Sequence, residues 1–444
     1  MSAFIVTDTI EGSREQEGGH SNRTWSVISA MQKLAAGKLS SLLNCSLKFF
    51  PKLALKRARE LDVYFKVNKC TVGPLYGLLG LETTMGYVDW IRKYNQEESV
   101  LVTILRKARA VFYVKTSVLQ SLMVYKTVNN IIGWTINPYN RNWSCGGSSS
   151  SKGALVRFYS ALISVGTDIA NSIAGQETVH SVCGPMAHNQ YNSKVIPMPW
   201  RPNKETIIKS KISSNDLILA FYIMQLVVDA LKQAGYTIVP WKPYKHQYAV
   251  ELINRIYASD GGDDVYATLK ASGEPAITNF SDLIDLTLPK LDTDKIWDAN
   301  LDRWQYQMEY LDQIRAFEEE NHRELDAIIA LITPTAAIRH DQFRYYGYAS
   351  VINLLDFTSV VVPVTFANKN VDVKDENFKQ LTNMDGVMQA EYDLDVYHGA
   401  PVAVQIIGRR LSKEKVLMIA AEIIRVSGSL CQDHTKPLPY YAMP

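Results

Sequence analysis

Four stretches of this chain each contain a continuously apolar run: "VVDALKQAGYTIVPW", "RELDAIIALITPT", "LLDFTSVVVPVTF" and "APVAVQIIGRRLSKEKVLMIAAEII". In all but the third, which reads as an apolar strand, the run adjoins a segment of helical period. A strand with one solvated face alternates apolar and polar residues. Runs that are apolar at both parities belong to strands covered on both sides. In the first run a helix stops at Gly235 and a strand starts at Thr237; in the second, Pro334 marks the end of a strand. The last run is a strand, a Gly-Arg turn and a helix. Strands alternating with helices in this way specify a sheet with helices on both faces, an α/β sandwich.

The rest of the chain is consistent with one large core. Residues 51–66, "PKLALKRARELDVYFK", place Leu53, Leu55, Ala58 and Leu61 near one helical face, with charges opposite. "LVTILRKARA" passes into the β-branched and aromatic "VFYVKTSV". With 47% hydrophobic residues over 444 positions, a sizeable core is available. Formal net charge is only +2, with both signs interleaved, which argues against nucleic acid as a partner. The N-terminal "MSAFIVTDTIEGSREQEGGHSNR" has no apolar signal core. The longest apolar run, Leu217–Val228, is shorter than the roughly 20 residues a bilayer requires. Cys45, Cys70, Cys145, Cys183 and Cys431 are odd in number, widely spread and without zinc-ligand spacing, as expected of free thiols in a reducing compartment. These readings together point to a cytoplasmic protein that does not engage a membrane.

The stretch that carries chemistry begins at Cys145: "CGGSSSSKGALVRFYSALISVGTDIANSIAGQETVHSVCGP". A serine run after two glycines can be a linker or a catalytic loop. This run is too short for a linker and flows into the helical "KGALVRFYSALI". "GGSSSSKGAL" followed by "VGTDI" resembles the signature segment of the amidase signature family, G-G-S-S-G-G-E-G-A-L and then G-T-D-I-G-G-S. The likeness extends over nearly the whole chain: "LETTMGYVDWI", "VKTSVLQSLM", "NNIIGWTINPYNRN", "YASDGGDDVYATLKASGEP", "FRYYGYASVINLLDFTSVVVPVTF" and "YHGAPVAVQIIGRRL" are similar to stretches of the fungal acetamidase-like branch, in the same order.

The resemblance implies an α/β/α sandwich around a mixed sheet. It divides the chain into an N-terminal arm, partly helical, over residues 1–40 and a single amidase-like domain over 41–444. The chemistry it implies is hydrolysis of a small carboxamide through a Ser–Ser–Lys arrangement and an acyl-enzyme, without metal or cofactor. A serine hydroxyl is a weak nucleophile and needs a base. A lysine serves only when it is neutral, so it must be desolvated or held near positive dipoles. In the family a second serine, on a cis peptide bond, passes the proton between them. Backbone N–H groups form the oxyanion hole, each worth about 2.7–4 kcal/mol of transition-state stabilisation.

Residue by residue the machine is incomplete. Ser148 occupies the bridging-serine position. Ser150 and Ser151 stand where the family has glycines and Lys152 where it has glutamate, a cation at a helix start that the dipole disfavours. These departures predict a relaxed loop without the cis bond. Ser172 has the nucleophile's spacing from Ser148. The oxyanion turn before it would be Ile169, Ala170 and Asn171, with Ala170 and Asn171 replacing glycines. A competing alignment is better: "ANSIAGQETVHSVCGP" matches a later family segment over sixteen residues, so that the nucleophile turn is missing between Ile169 and Ala170. The family's lysine strand follows G-P-L-H-G-L and precedes G-L-E-T-T. Here "GPLYGL" runs through Leu79 directly into "GLETTMGY". Lys115 matches a different family position, and Lys69 lies before the gap. Further joins follow "AAGKLSS" and "GPMAHN". Four such joins, each flanked by good matches, read as excised coding segments rather than gradual drift.

The expectation is therefore a truncated amidase fold with absent or very weak activity. Two other readings stay open: a non-catalytic protein binding a carboxamide or related ligand in the old pocket, and an enzyme with lysine-free chemistry. A homodimer stays open as well. Truncation predicts unpaired sheet edges near residues 78–81 and 169–172. Elsewhere, "SDGGDD" lacks the ligand spacing of a calcium loop and reads as a turn between helices. His398 is expected to make a structural hydrogen bond. "ITPT" and "FRYYGY" match family segments near the substrate pocket.

Overall fold

The computed structural model describes residues 4–6, 44–49, 83–94, 111–122, 125–157, 163–166, 211–214, 221–278, 289–374 and 382–426, with a few positions between them. Twelve strands are described. They are β1 (Phe4–Val6), β2 (Ser46–Phe49), β3 (Val111–Phe112), β4 (Val114–Thr116), β5 (Val128–Asn129), β6 (Gly133–Trp134), β7 (Ile163–Ser164), β8 (Lys211–Ser214), β9 (Thr237–Pro240), β10 (Ala327–Leu331), β11 (Thr358–Phe366) and β12 (Pro401–Gly408).

The four apolar runs supply β9 to β12, and these join β8 in one mixed sheet of order β11-β12-β10-β8-β9. β12 pairs antiparallel with β10 and β11, whereas β8 pairs parallel with β10 and β9. β10 shows why its sequence is apolar at every position. Ala327, Ile329 and Leu331 pack with Met224, Val227 and Leu231 of the helix Phe221–Gln233 and with Val416, Ile419 and Ile423 of the helix Lys413–Val426. Ile328 and Ala330, pointing the other way, pack with Leu252, Tyr306, Tyr310, Ile314 and Val351. Two apolar layers over one sheet make the α/β/α sandwich expected from the sequence. Each fully buried aliphatic side chain contributes about 1.5–3 kcal/mol of transfer free energy.

One polar residue crosses this core. Gln405 on β12 is fully buried; its amide donates to the carbonyls of Leu331 at 2.6 Å and Tyr348 at 3.0 Å, and it accepts from Ser359 Oγ at 3.2 Å. Every group is satisfied, so the amide ties β10, β12 and the helix Gly347–Leu354 together.

Smaller sheets carry the site side of the molecule: β3-β1-β7, β2-β4 and β5-β6. The "SDGGDD" segment is a turn between the helices His246–Tyr257 and Asp263–Ser272, with Gly262 at φ 77°. "LLDF" divides differently from the sequence reading. Leu354 closes a helix, and the strand begins at Thr358 after Asp356, which sits at φ 55°. Of residues 1–40 only Phe4–Val6 are described, as β1. Residues 78–81 and 169–172, where open sheet edges were expected, lie outside the described residues.

Candidate active site

The serine run is held between β5, β6 and the helix Ser150–Arg157 that it opens. Ile136 and Ser144 form a β-bridge, and Asn137 Nδ2 donates to Ser144 O at 3.0 Å. Ser144 Oγ accepts the Gly146 N–H at 3.1 Å, turning the chain into the two glycines. Gly146 and Gly147 both have positive φ, 68° and 142°. A Cβ on Gly147 would lie 2.9 Å from Ser150 Oγ and 3.4 Å from the Lys126 backbone, so glycine is required there for space and for conformation.

Two threonines hold the serines. Thr127 Oγ1 donates to Ser148 O at 2.8 Å and accepts from Ser150 Oγ at 2.5 Å. Thr135 Oγ1 donates to Asn44 O at 3.1 Å. Its single proton is thereby used, so Ser151 Oγ is the donor in the 2.7 Å contact between them. Ser149, Ser150 and Ser151 are completely buried, while Ser148 is half-buried.

The loop departs from the expectation that it would relax. The Gly147–Ser148 peptide bond is cis. Ser150 and Ser151 need no positive φ, because they are the first two residues of the helix, and their hydroxyls find partners on neighbouring segments. Lys152 does not sit as a solvated cation against the helix dipole. It is 3% exposed, its Nζ lies 3.5 Å from Ser149 Oγ, and burial pushes its amine down to about 8. Sequence reasoning missed this burial. The signal was the three-residue spacing from Ser149, which brings Lys152 over Ser149 within the first helical turn.

The remaining lysines of this region have other partners. Lys115, on β4, donates to Thr83 Oγ1 at 2.9 Å. Lys126, beside Gly147, is ion-paired with Asp341 and lies 4.6 Å from the centre of the Trp134 ring. His340 meets the same ring edge-on at 4.5 Å. "FRYYGY" does reach this region: Tyr125 stacks on Phe343 at 4.9 Å and on Tyr346 at 4.6 Å, two residues before Thr127. His398 Nδ1 accepts the Lys369 N–H at 3.4 Å. Ser172, the Ile169–Ala170–Asn171 turn and Lys69 lie outside the described residues, so Ser148 is the one predicted site residue whose surroundings the structure gives.

The family model for amidases matches residues 27–174 and 222–417. The chain belongs to the amidase family. This amidase-family chain is 48% identical to the acetamidase of Emericella nidulans over 91% of its own length and 89% of that protein's. To the acetamidase of Aspergillus oryzae it is 47% identical, over 87% and 84%. Among solved structures, fatty acid amide hydrolase superposes with a TM-score of 0.78 at 26% identity, covering 91% of this chain and 85% of that one. The alignment with the Emericella nidulans protein spans 490 positions, 46 more than the 444 residues available, so at least 46 positions of that relative have no counterpart here. Among the described residues no helix is long and apolar enough to cross a membrane.

Proposed function

We propose that this chain is a small-carboxamide amidase whose binding loop persists and whose turnover is absent or very weak, acting in the cytoplasm. The observation that carries the reading is the state of the serine loop. Thr127 holds Ser148 O and Ser150 Oγ and Thr135 holds Ser151 Oγ, yet the amine nearest to Ser148 in sequence, Lys152, is buried against Ser149. The family's lysine strand and nucleophile turn have no counterpart in the sequence, and the acetamidase alignment supports missing positions. Without its base, serine attack loses about 10²–10⁴-fold. Without the family's oxyanion turn, a further 10²–10³-fold is lost per donor. The Ser–Ser–Lys acyl-enzyme route would then run at a residual rate at most. The intact loop also favours a second reading, a non-catalytic protein that binds a carboxamide in the old pocket.

The test is hydrolysis of acetamide, benzamide and an anilide by the purified chain, beside Ser148→Ala and Ser172→Ala. Rates equal to those of both variants are expected. Clear turnover abolished by Ser172→Ala would restore the alignment rejected above and sink the impaired reading. Saturable acetamide binding without turnover would favour the second reading.

A further inference from the structure

The helix Thr293–Glu320 is 28 residues long, about 42 Å. It presents Ala299, Tyr306, Tyr310 and Ile314 to the core. Its opposite face, about 150° away at 3.6 residues per turn, carries Trp297, Leu301, Trp304 and Met308, with exposures of 67%, 59%, 59% and 39%. Two tryptophans and two aliphatics in one solvent-facing line exceed the scattered apolar residues of an ordinary surface. Their spacing of four, three and four is the seam of a paired helix.

We propose that this stripe is the interface of a two-fold homodimer, formed by antiparallel pairing of the long helices of two copies. The stripe is complementary to itself. With the axis between Asp302 and Arg303, Leu301 of one copy meets Trp304 of the other, and Met308 meets Trp297. Each tryptophan thus packs on an aliphatic, and each contact occurs twice, as an isologous interface requires. The charges agree. One heptad beyond Met308 the seam ends on Arg315, which is exposed and, among the described residues, is ion-paired with Asp312 at i−3. In the antiparallel register Arg315 comes beside the first turn of the other helix, where Asp294 lies, while Asp292 is paired with Lys295, and Lys290, level with Arg315, is paired with Asp263 of its own chain. The acids along one flank, Asp302 and Glu309, are already neutralised by Arg255 and Lys245 of the same chain, which removes repulsion between copies. Asn300 and Gln305, next to the seam, carry no charge.

At 150–250 Å² per buried aromatic, the stripe covers about 400 Å² per copy. That places the dimer at the small, readily reversible end of specific interfaces. Sedimentation velocity of the full chain across about 1–100 µM tests it. A monomer–dimer equilibrium is expected in that range. Trp304→Glu, on a fully solvated face, should weaken it by about tenfold or more while leaving the circular dichroism unchanged. Arg315→Glu should weaken it by a smaller factor, and adding Asp294→Lys to the same chain should restore it, because the two charges meet across the axis. A chain monomeric throughout, a dimer indifferent to Trp304→Glu, or a monomer that floats with neutral phospholipid vesicles through the same tryptophans would each overturn the proposal.

Discussion

Lys152 is a desolvated charge, and removing it should stabilise the protein. Its amine is buried, and its described partner is a serine hydroxyl at the outer limit of hydrogen bonding. Burial moves its titration from 10.5 to about 8. At about 1.4 kcal/mol per tenfold, that gap corresponds to roughly 3 kcal/mol. The folded value is the lower one, so between pH 8 and 10.5 the unfolded chain holds a proton that the folded chain lacks, and stability rises with pH. Below pH 8 both states are protonated and the folded state bears the full penalty. Lys152→Met keeps the apolar stem and drops the charge. At pH 7 it should be more stable by up to about 3 kcal/mol, less about 0.5 kcal/mol for the weak contact to Ser149. The advantage should shrink as pH rises from 8 to 10. Urea unfolding of wild type and variant at pH 7, 8.5 and 10 measures it. Taking the difference cancels the buried tyrosines, such as Tyr113 and Tyr306, whose hydroxyls burial pushes up. A destabilised Lys152→Met, or an advantage independent of pH, would show that Lys152 is not a desolvated cation.

Thr127→Val should cost about 1–3 kcal/mol in urea unfolding, because the hydrogen bonds from Thr127 Oγ1 to Ser148 O and from Ser150 Oγ to Thr127 Oγ1 are both lost; a cost below 0.5 kcal/mol would mean that water replaces the threonine. His246 sits against the Tyr310 ring, and burial lowers its titration to about 4. Its folded value lies below the unfolded value of 6.5, so stability should fall as pH drops from 6.5 to 4, by at most about 3 kcal/mol from this group. His246→Phe should flatten that part of the pH–stability curve, and an unchanged slope would count against the burial argument.

Three strands of the main sheet, β10, β11 and β12, were legible because they are largely buried on both faces, a condition that continuously apolar runs satisfy. β9 instead lies at the sheet edge with Thr237 and Pro240 exposed, and β8, "KISS", carries no apolar run. β10 shows it residue by residue: odd positions face one helical layer and even positions the other. The serine loop was legible as a loop, and Ser148 as the position that resembles the family's bridging serine. What escaped were contacts between distant segments. Thr127 lies 23 residues before Ser150 and Thr135 lies 16 before Ser151. Nothing in local spacing says that these hydroxyls meet, so Ser150 and Ser151 looked like misfits at glycine positions instead of partners. Lys152 was misjudged for a related reason. The helix dipole argues about a terminal charge in water, whereas here the dominant effect is desolvation. β1 was equally hidden, since a three-residue strand is defined by its neighbours β3 and β7 rather than by its own sequence.

On the proposed reading, the serine loop persists without the chemistry that activates a serine. Intact-mass spectrometry after incubation with a fluorophosphonate, which reacts only with activated serines, tests this without assuming any amide substrate. An unmodified mass for the chain is expected after prolonged incubation. A stoichiometric adduct mapped by peptide sequencing to Ser172 or to Ser148 would contradict it.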